Sequence, residues 1–114
     1  MPFIDAMIAA VPKDARDAFA ETSRKLSDLL KGHGALAVHS NWGVLLDESP
    51  GHMLASRAGC GPDETVVTAW VVWPSREARD KGWEAADPEY QALMDASPVD
   101  ERMYVAGFEP LDES

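Results

Sequence analysis

Apolar and polar positions repeat with two different periods along this chain, and the changes of period mark out its elements. Residues 3–11, FIDAMIAAV, are a short apolar run closed by Pro12, which predicts a strand. From Asp14 to His33 the apolar positions fall at Ala15, Phe19, Thr22, Leu26 and Leu29, with Leu30 beside them and His33 at the end. Steps of three and four residues gather these side chains on one helical face. The other face carries Arg16, Asp17, Glu21, Arg24, Lys25, Asp28 and Lys31. Glu21 with Lys25 and Arg24 with Asp28 stand four apart, each pair adding about 0.3 kcal/mol. Gly32 and Gly34 offer the left-handed conformation that ends a helix.

Residues 35–46, ALAVHSNWGVLL, predict a second strand, and 47–64 is turn-rich, with Pro50-Gly51 and Gly61-Pro62-Asp63 as breakers. The stretch 65–73, TVVTAWVVW, is β-branched and aromatic without a charge, as a central strand covered on both faces would be. Pro74 ends it, and Ser75 is placed to cap a helix running to about Ala86. Asp87-Pro88 then reads as a cap followed by proline in the first turn of a separate short helix ending near Met94. Residues 102–109, RMYVAGFE, predict the last strand. The order strand, helix, strand, strand, helix, strand suits an α+β fold of ferredoxin-like βαββαβ type. It implies a four-stranded antiparallel sheet, strands one and three central, with both helices on one face. With no internal repeat and no linker, 1–114 reads as a single domain.

Alternation then sorts the faces of the sheet. Ile4, Ala6, Ile8 and Ala10 form a uniformly apolar rank, as do Val67, Ala69, Val71 and Trp73, while Leu36, Val38, Trp42, Val44 and Leu46 are interrupted only by Ser40. These ranks are expected beneath the helices. Phe3, Asp5 and Met7, His39 and Asn41, and Thr68 and Trp70 would then share the opposite face. A half-apolar sheet face is too hydrophobic to be left in water, so it predicts a homodimer packed sheet to sheet.

Charge narrows the partners. The chain carries 20 acidic and 10 basic side chains, a formal net charge of −10, which opposes binding to nucleic acid. Residues 84–114 hold nine acids against Arg102 alone, so the acidity is concentrated in the final third, including a solvated tail at Asp112 and Glu113. At 46% hydrophobic and 26% charged, the chain is expected to fold. No apolar run approaches the ~20 residues of a membrane span, and the first residues lack the positive start of a signal peptide. Cys60 is the one cysteine. A cytoplasmic location without membrane or nucleic-acid partners is the expectation.

Chemistry is sparse. Asp5, inside a central strand, is placed either as a general base or, in the ordinary structural reading, as a hydrogen-bond acceptor for the backbone or the Thr68 hydroxyl. His33 closes the helical stripe and reads as structural. His52 and Cys60 share a loop but lack a third ligand, so no metal site is expected. Cys60 between two glycines offers a thiol with nothing nearby to activate it. No catalytic triad order, phosphate loop or other cofactor-binding motif occurs, and none of the cofactors such motifs hold is implied.

Five segments carry a family resemblance: FIDAM…VPK at 3–13, HGAL at 33–36, PDETVVTAWVVWPSREARD at 62–80, ADPEY at 86–90 and RMYVAGF at 102–108. Together they resemble the YbaA-like family of small bacterial proteins, a domain of unknown function in the dimeric α+β barrel superfamily. The chain departs from that pattern at Pro98-Val99-Asp100-Glu101, where the family usually has an aromatic residue and a glycine, and in a shorter 47–61 loop. The resemblance implies a ferredoxin-like protomer and a sheet-to-sheet dimer, and carries no agreed catalytic set. It also implies a small hydrophobic or aromatic ligand held between sheet and helices, where superfamily relatives keep theirs. Cofactor-independent monooxygenases of the superfamily line such a pocket with Asn, Trp, Tyr or His, which makes His39, Asn41, Trp70 and Tyr104, with Asp5, the candidates here. Asn41 and Trp42, adjacent on one strand, must point to opposite faces. A structural or regulatory dimer without ligand is the remaining reading.

Overall fold

In the computed structural model, which describes residues 1–48 and 50–111, the four expected strands and the first long helix appear in the expected order. The elements are β1 (Phe3–Pro12), a 3-10 turn (Lys13–Ala15), α1 (Arg16–Gly32), β2 (Ala37–Trp42), α2 (Gly51–Arg57), β3 (Glu64–Trp73), α3 (Arg76–Asp95) and β4 (Tyr104–Phe108). All pairings are antiparallel, and the strand order β2-β3-β1-β4 puts β1 and β3 at the centre. This is a ferredoxin-like fold. The acidic tail expected at Asp112 and Glu113 lies outside the described residues.

Helix α1 buries Phe19, Thr22, Leu26 and Leu30, the stripe read from its spacing. Its end is closed by Gly34, at φ +107, while the Ala35 N–H donates to the Leu30 carbonyl at 3.0 Å. Ser75 caps α3 as expected, its hydroxyl accepting from the Ala78 N–H at 3.1 Å. Strand β2 is shorter than the run 35–46. At Gly43 the chain passes so close to β3 that an added Cβ would lie 2.5 Å from the Val66 carbonyl oxygen, and Val44 and Leu45 beyond it are exposed.

Three expectations need correction. The two short helices separated at Asp87-Pro88 are one helix of 20 residues with Pro88 inside it. Pro88 removes a backbone donor, but Trp83, Ala86, Tyr90 and Leu93 lie on one face across it and pack against the same core. Tertiary burial on both sides of the proline outweighs the local break. The turn-rich segment 47–64 contains a helix, α2, which is not on the face of the other two. Leu54, Arg57 and Ala58 share a hollow with Ile8 and Tyr104, and Ala10 beside them is fully buried.

The third correction concerns the faces of β1. Phe3, Asp5, Met7 and Ala9 stand opposite Trp73, Val71, Ala69 and Val67, and residues opposite one another in a ladder share a face. The rank containing Asp5 therefore packs under α1 and α3, and Ile4, Ala6, Ile8 and Ala10 form the outer face. Trp70, Tyr104 and Phe108 lie on that outer face as well. Both ranks of β1 are largely apolar, so alternation could not orient the strand. The acid sits inward because α3 supplies donors for it.

Helix α3 approaches the sheet closely because Gly82 has no side chain. A Cβ there would lie 2.4 Å from Cζ3 of Trp73 and 2.9 Å from the His33 carbonyl oxygen. Trp73 is fully buried and has no room to withdraw. Gly82→Ala should therefore destabilise the protein by ~1–2 kcal/mol, although alanine favours an isolated helix by about 1 kcal/mol. A urea midpoint unchanged or raised in that variant would show that α3 is not seated against Trp73.

Candidate functional site

Within α3, positions 79, 83 and 90 are separated by four and seven residues, which places Arg79, Trp83 and Tyr90 along one stripe facing the sheet. Beneath them lies Asp5, 4% exposed. The Trp83 Nε1–H donates to Asp5 Oδ2 at 2.7 Å and the Trp73 Nε1–H to the same oxygen at 3.0 Å. The Arg79 Nε–H straddles the carboxylate at 3.2 Å from Oδ1 and 3.1 Å from Oδ2. Arg79 is braced in turn by Asp80 at 3.0 Å and lies over the Phe3 ring, 5.7 Å from its centroid. The bond to Asp5, more than any other contact, raises the guanidinium above its ordinary proton affinity. A buried carboxylate thus has a cation and two aromatic donors around it, the arrangement that burial of charge demands.

The indoles are layered. The Trp73 and Trp83 centroids stand 6.0 Å apart, and Tyr90 meets Trp83 edge-on at 4.9 Å. Burial pushes the Tyr90 phenol above its usual range. Alongside this stack, Asp5 borders a cavity of about 70 Å³ between the sheet and the two long helices. Its walls are mainly apolar: Phe19 and Leu26 from α1, Ala69 and Val71 from β3, Trp83 and Tyr90 from α3. Met7, Met94 and Met103 complete them, three of the five methionines in the chain. Unbranched, polarisable methionine adapts its shape to irregular contents.

The candidates from sequence are divided by the sheet. Asp5 borders the cavity. His39, Asn41, Trp70 and Tyr104 lie on the outer face, where Asn41 Nδ2 donates to Thr68 Oγ1 at 3.1 Å and the His39 and Trp70 rings are 6.2 Å apart. The Thr68 hydroxyl therefore pairs with Asn41 and not with Asp5, which the second face of β1 makes inevitable. Trp42 points inward as expected, 6.0 Å from Phe19. Arg79 and Trp83, inside the helix expected from Ser75 to Ala86, were missed because Asp5 was assigned to the opposite face of the sheet, and Tyr90 because the helix was divided at Pro88; the stripe 79, 83, 86, 90 was the available signal.

A second, open groove of about 480 Å³ brings His52 and Cys60 together with Lys13 and Glu64. Burial, then the Glu64 charge, pushes the Cys60 thiol up, so it is not an activated nucleophile. Among the described residues no group of three His, Cys, Asp or Glu side chains could hold a metal ion. Glu64 itself has a structural partner. Arg102 donates to Oε1 at 2.7 Å and Oε2 at 2.5 Å, and also to the Gly59 carbonyl at 2.8 Å and to Asp100. This clamp fixes the segment leading into β4, which carries Val99 and Met103 to the cavity wall. The Arg102 bonds, then the Gly61 N–H, hold Glu64 at about 2.

Residues 2–101 match the model of a family described as "Protein of unknown function (DUF1428)". The chain belongs to this family. Over 114 residues it is 30% identical to uncharacterized protein YbaA of Escherichia coli K12, with 97% of each chain covered. The DUF1428 fold is similar to a dimeric ferredoxin-like protein of unknown function from Jannaschia sp. CCS1, with TM-score 0.61, 12% identity, and 95% and 99% of the two chains covered. It is also similar to a putative antibiotic biosynthesis monooxygenase from Nitrosomonas europaea, with TM-score 0.58, 14% identity, and 96% and 90% covered. At these identities the two structures establish the fold of this DUF1428 protein and leave its chemistry to its own residues. Among the described residues no helix is long and apolar enough to cross a membrane.

Two predictions follow from the charges. Asp5→Ala strands two indole donors and a guanidinium, so it should destabilise by ~3 kcal/mol, most of it regained when Trp83 and Arg79 are also made apolar. Double-mutant cycles on urea midpoints measure this, and additive losses would contradict the network. Glu64, depressed from its usual 4.5 to about 2, stabilises the fold fully above 4.5 and loses that contribution as pH falls toward 2. Stability of the parent and of Glu64→Gln should therefore converge between pH 5 and pH 2. A gap that stays constant across that window would refute the clamp.

Proposed function

We propose that residues 1–114 act as one ferredoxin-like domain, homodimeric and cytoplasmic, that binds a small hydrophobic or aromatic ligand between the sheet and its helices. The observation that carries the reading is the cavity beside Asp5, apolar on nearly every side and bordered by three methionines. Its size sets the ligand. At about 70 Å³ it is smaller than the cavity of roughly 150 Å³ that accepts benzene in an engineered core. A single ring therefore requires the methionines to shift, and a polycyclic substrate is out of scale. The homodimer is supported by the outer face, where Trp70 is 40%, Phe108 53% and Tyr104 62% exposed in the single chain. The likeness to dimeric ferredoxin-like proteins agrees with it.

The alternative is a cofactor-independent monooxygenase-like enzyme. In its favour a carboxylate borders the cavity beside the Tyr90 phenol. Against it, Asn41 and Trp70 stand across the sheet from that cavity, so no single pocket collects the groups such an enzyme would use.

Toluene, as the simplest occupant, should raise the thermal midpoint of the parent protein in a concentration-dependent way. Ala69→Leu, which fills the cavity from the central strand, should fold and lose that response. No response to any single-ring compound would leave a structural or regulatory dimer without ligand. Oxygen uptake with quinol-type aromatics separates enzyme from binder, and none is expected. Light scattering should give twice 12.4 kDa, and Tyr104→Glu should reduce it to the protomer mass. A parent protein at protomer mass at micromolar concentration would remove the dimer.

A further inference from the structure

Asp5 is more than a structural acceptor, because its hydrogen-bonding capacity is not used up. An ionised carboxylate offers about four lone-pair sites on two oxygens. Three N–H groups reach it, from Trp73, Trp83 and Arg79. They are unevenly spread: Oδ2 receives both indoles and the shorter arm of the Arg79 contact, whereas Oδ1 receives only the longer arm, at 3.2 Å. The side chain is 5% exposed, so bulk water does not fill the open position freely. Asp5 also borders the cavity, and Oδ1 is its oxygen with a site to spare.

We propose that Asp5 Oδ1 is the specificity determinant of the cavity, selecting neutral ligands that carry one hydroxyl donor on a small apolar body, such as a phenol. The inference rests on the reading of the cavity as a ligand site. A hydroxyl donating to Oδ1 completes the carboxylate, and the remainder of the ligand lies against Met7, Val71 and Met103. A hydrogen bond to a charged acceptor at a desolvated site outweighs the greater hydrophobicity of a hydrocarbon of equal size. A ligand with its own carboxylate would set two anions side by side. Arg79 already faces both Asp5 and Asp80, so a ligand carboxylate would place a third anion around one cation.

The test compares phenol, toluene and benzoate, alike in ring size, by calorimetric titration of the full chain, with the indole N–H resonances followed by NMR. Phenol should bind at least tenfold more tightly than toluene, and benzoate should not bind. Phenol should shift the Trp73 and Trp83 indole signals more than toluene does, because both indoles share the carboxylate. In Asp5→Asn the phenol affinity should fall at least tenfold while that of toluene changes less than threefold. If that variant does not fold, the comparison within the parent protein decides. Toluene binding as tightly as phenol would overturn the role of Asp5 and leave the ligand site standing. Binding of neither would overturn both.

Discussion

A carboxylate taken out of water between a sheet and a helix is the constraint that arranges this protein. Asp5 on the central strand cannot remain charged there unless donors converge on it, and they come from two elements. Trp73 stands at the end of β3, and Arg79 and Trp83 on α3. Because the three donors are 68 to 78 residues away in sequence, satisfying Asp5 fixes the angle and depth of α3 over the sheet. Gly82 permits the required approach, and Pro88 is tolerated because the helix is held on both sides of it. The cavity is a consequence of the same arrangement. Large indoles committed to Asp5 leave the middle of the layer to thinner, more flexible side chains.

How much of this was legible follows from what each signal reports. The α1 stripe, the Ser75 cap and the uncharged β3 run depend on local chemistry and spacing, and each appears as read. Strand order follows from chirality and the succession of elements. The inward rank of β1 was not legible, because Ile4, Ala6, Ile8 and Ala10 are as apolar as any core rank. The acid on the other rank assigned that rank to the outer face of the sheet, away from the helices. Its partners, Trp73, Arg79 and Trp83, stood in elements that were expected, but on the side of the sheet opposite to the one assigned to Asp5. Periodicity carried across the proline would have shown Trp83, Ala86 and Tyr90 in register with Arg79. Helix α2 lacked any comparable signal: it has seven residues, no side-chain cap and no fully buried position.

The outer face shows the same logic from the opposite side. It holds the more uniform apolar rank of β1, yet Trp70, Tyr104 and Phe108 are left open on it, and β4 is exposed along its whole length. A core would bury such residues, so their exposure points to another surface. The net charge of −10 bears on which surface that is. Nine of the acids fall after residue 83, and the strands β1 to β3 carry only Asp5, neutralised from within, and Glu64, clamped by Arg102. Strand β4, although it lies within the acidic third, carries no charge of its own, so the outer face of the sheet is nearly neutral.

Asp5 also links the fold to the chemistry the cavity can support. A general base must offer a lone pair to a substrate proton, and at Oδ2 the lone pairs already accept from two indoles and a guanidinium. What remains at Oδ1 is one site for a hydrogen bond, suited to holding a hydroxyl in place more than to removing its proton. The same three donors that make the fold possible thus weaken the case for catalysis at Asp5 and strengthen the case for recognition. Methionine walls adapt to the shape of their contents, while Asp5 sets an oriented acceptor into a lining whose other polar groups are the hydroxyls of Thr22, Ser23, Ser40 and Tyr90.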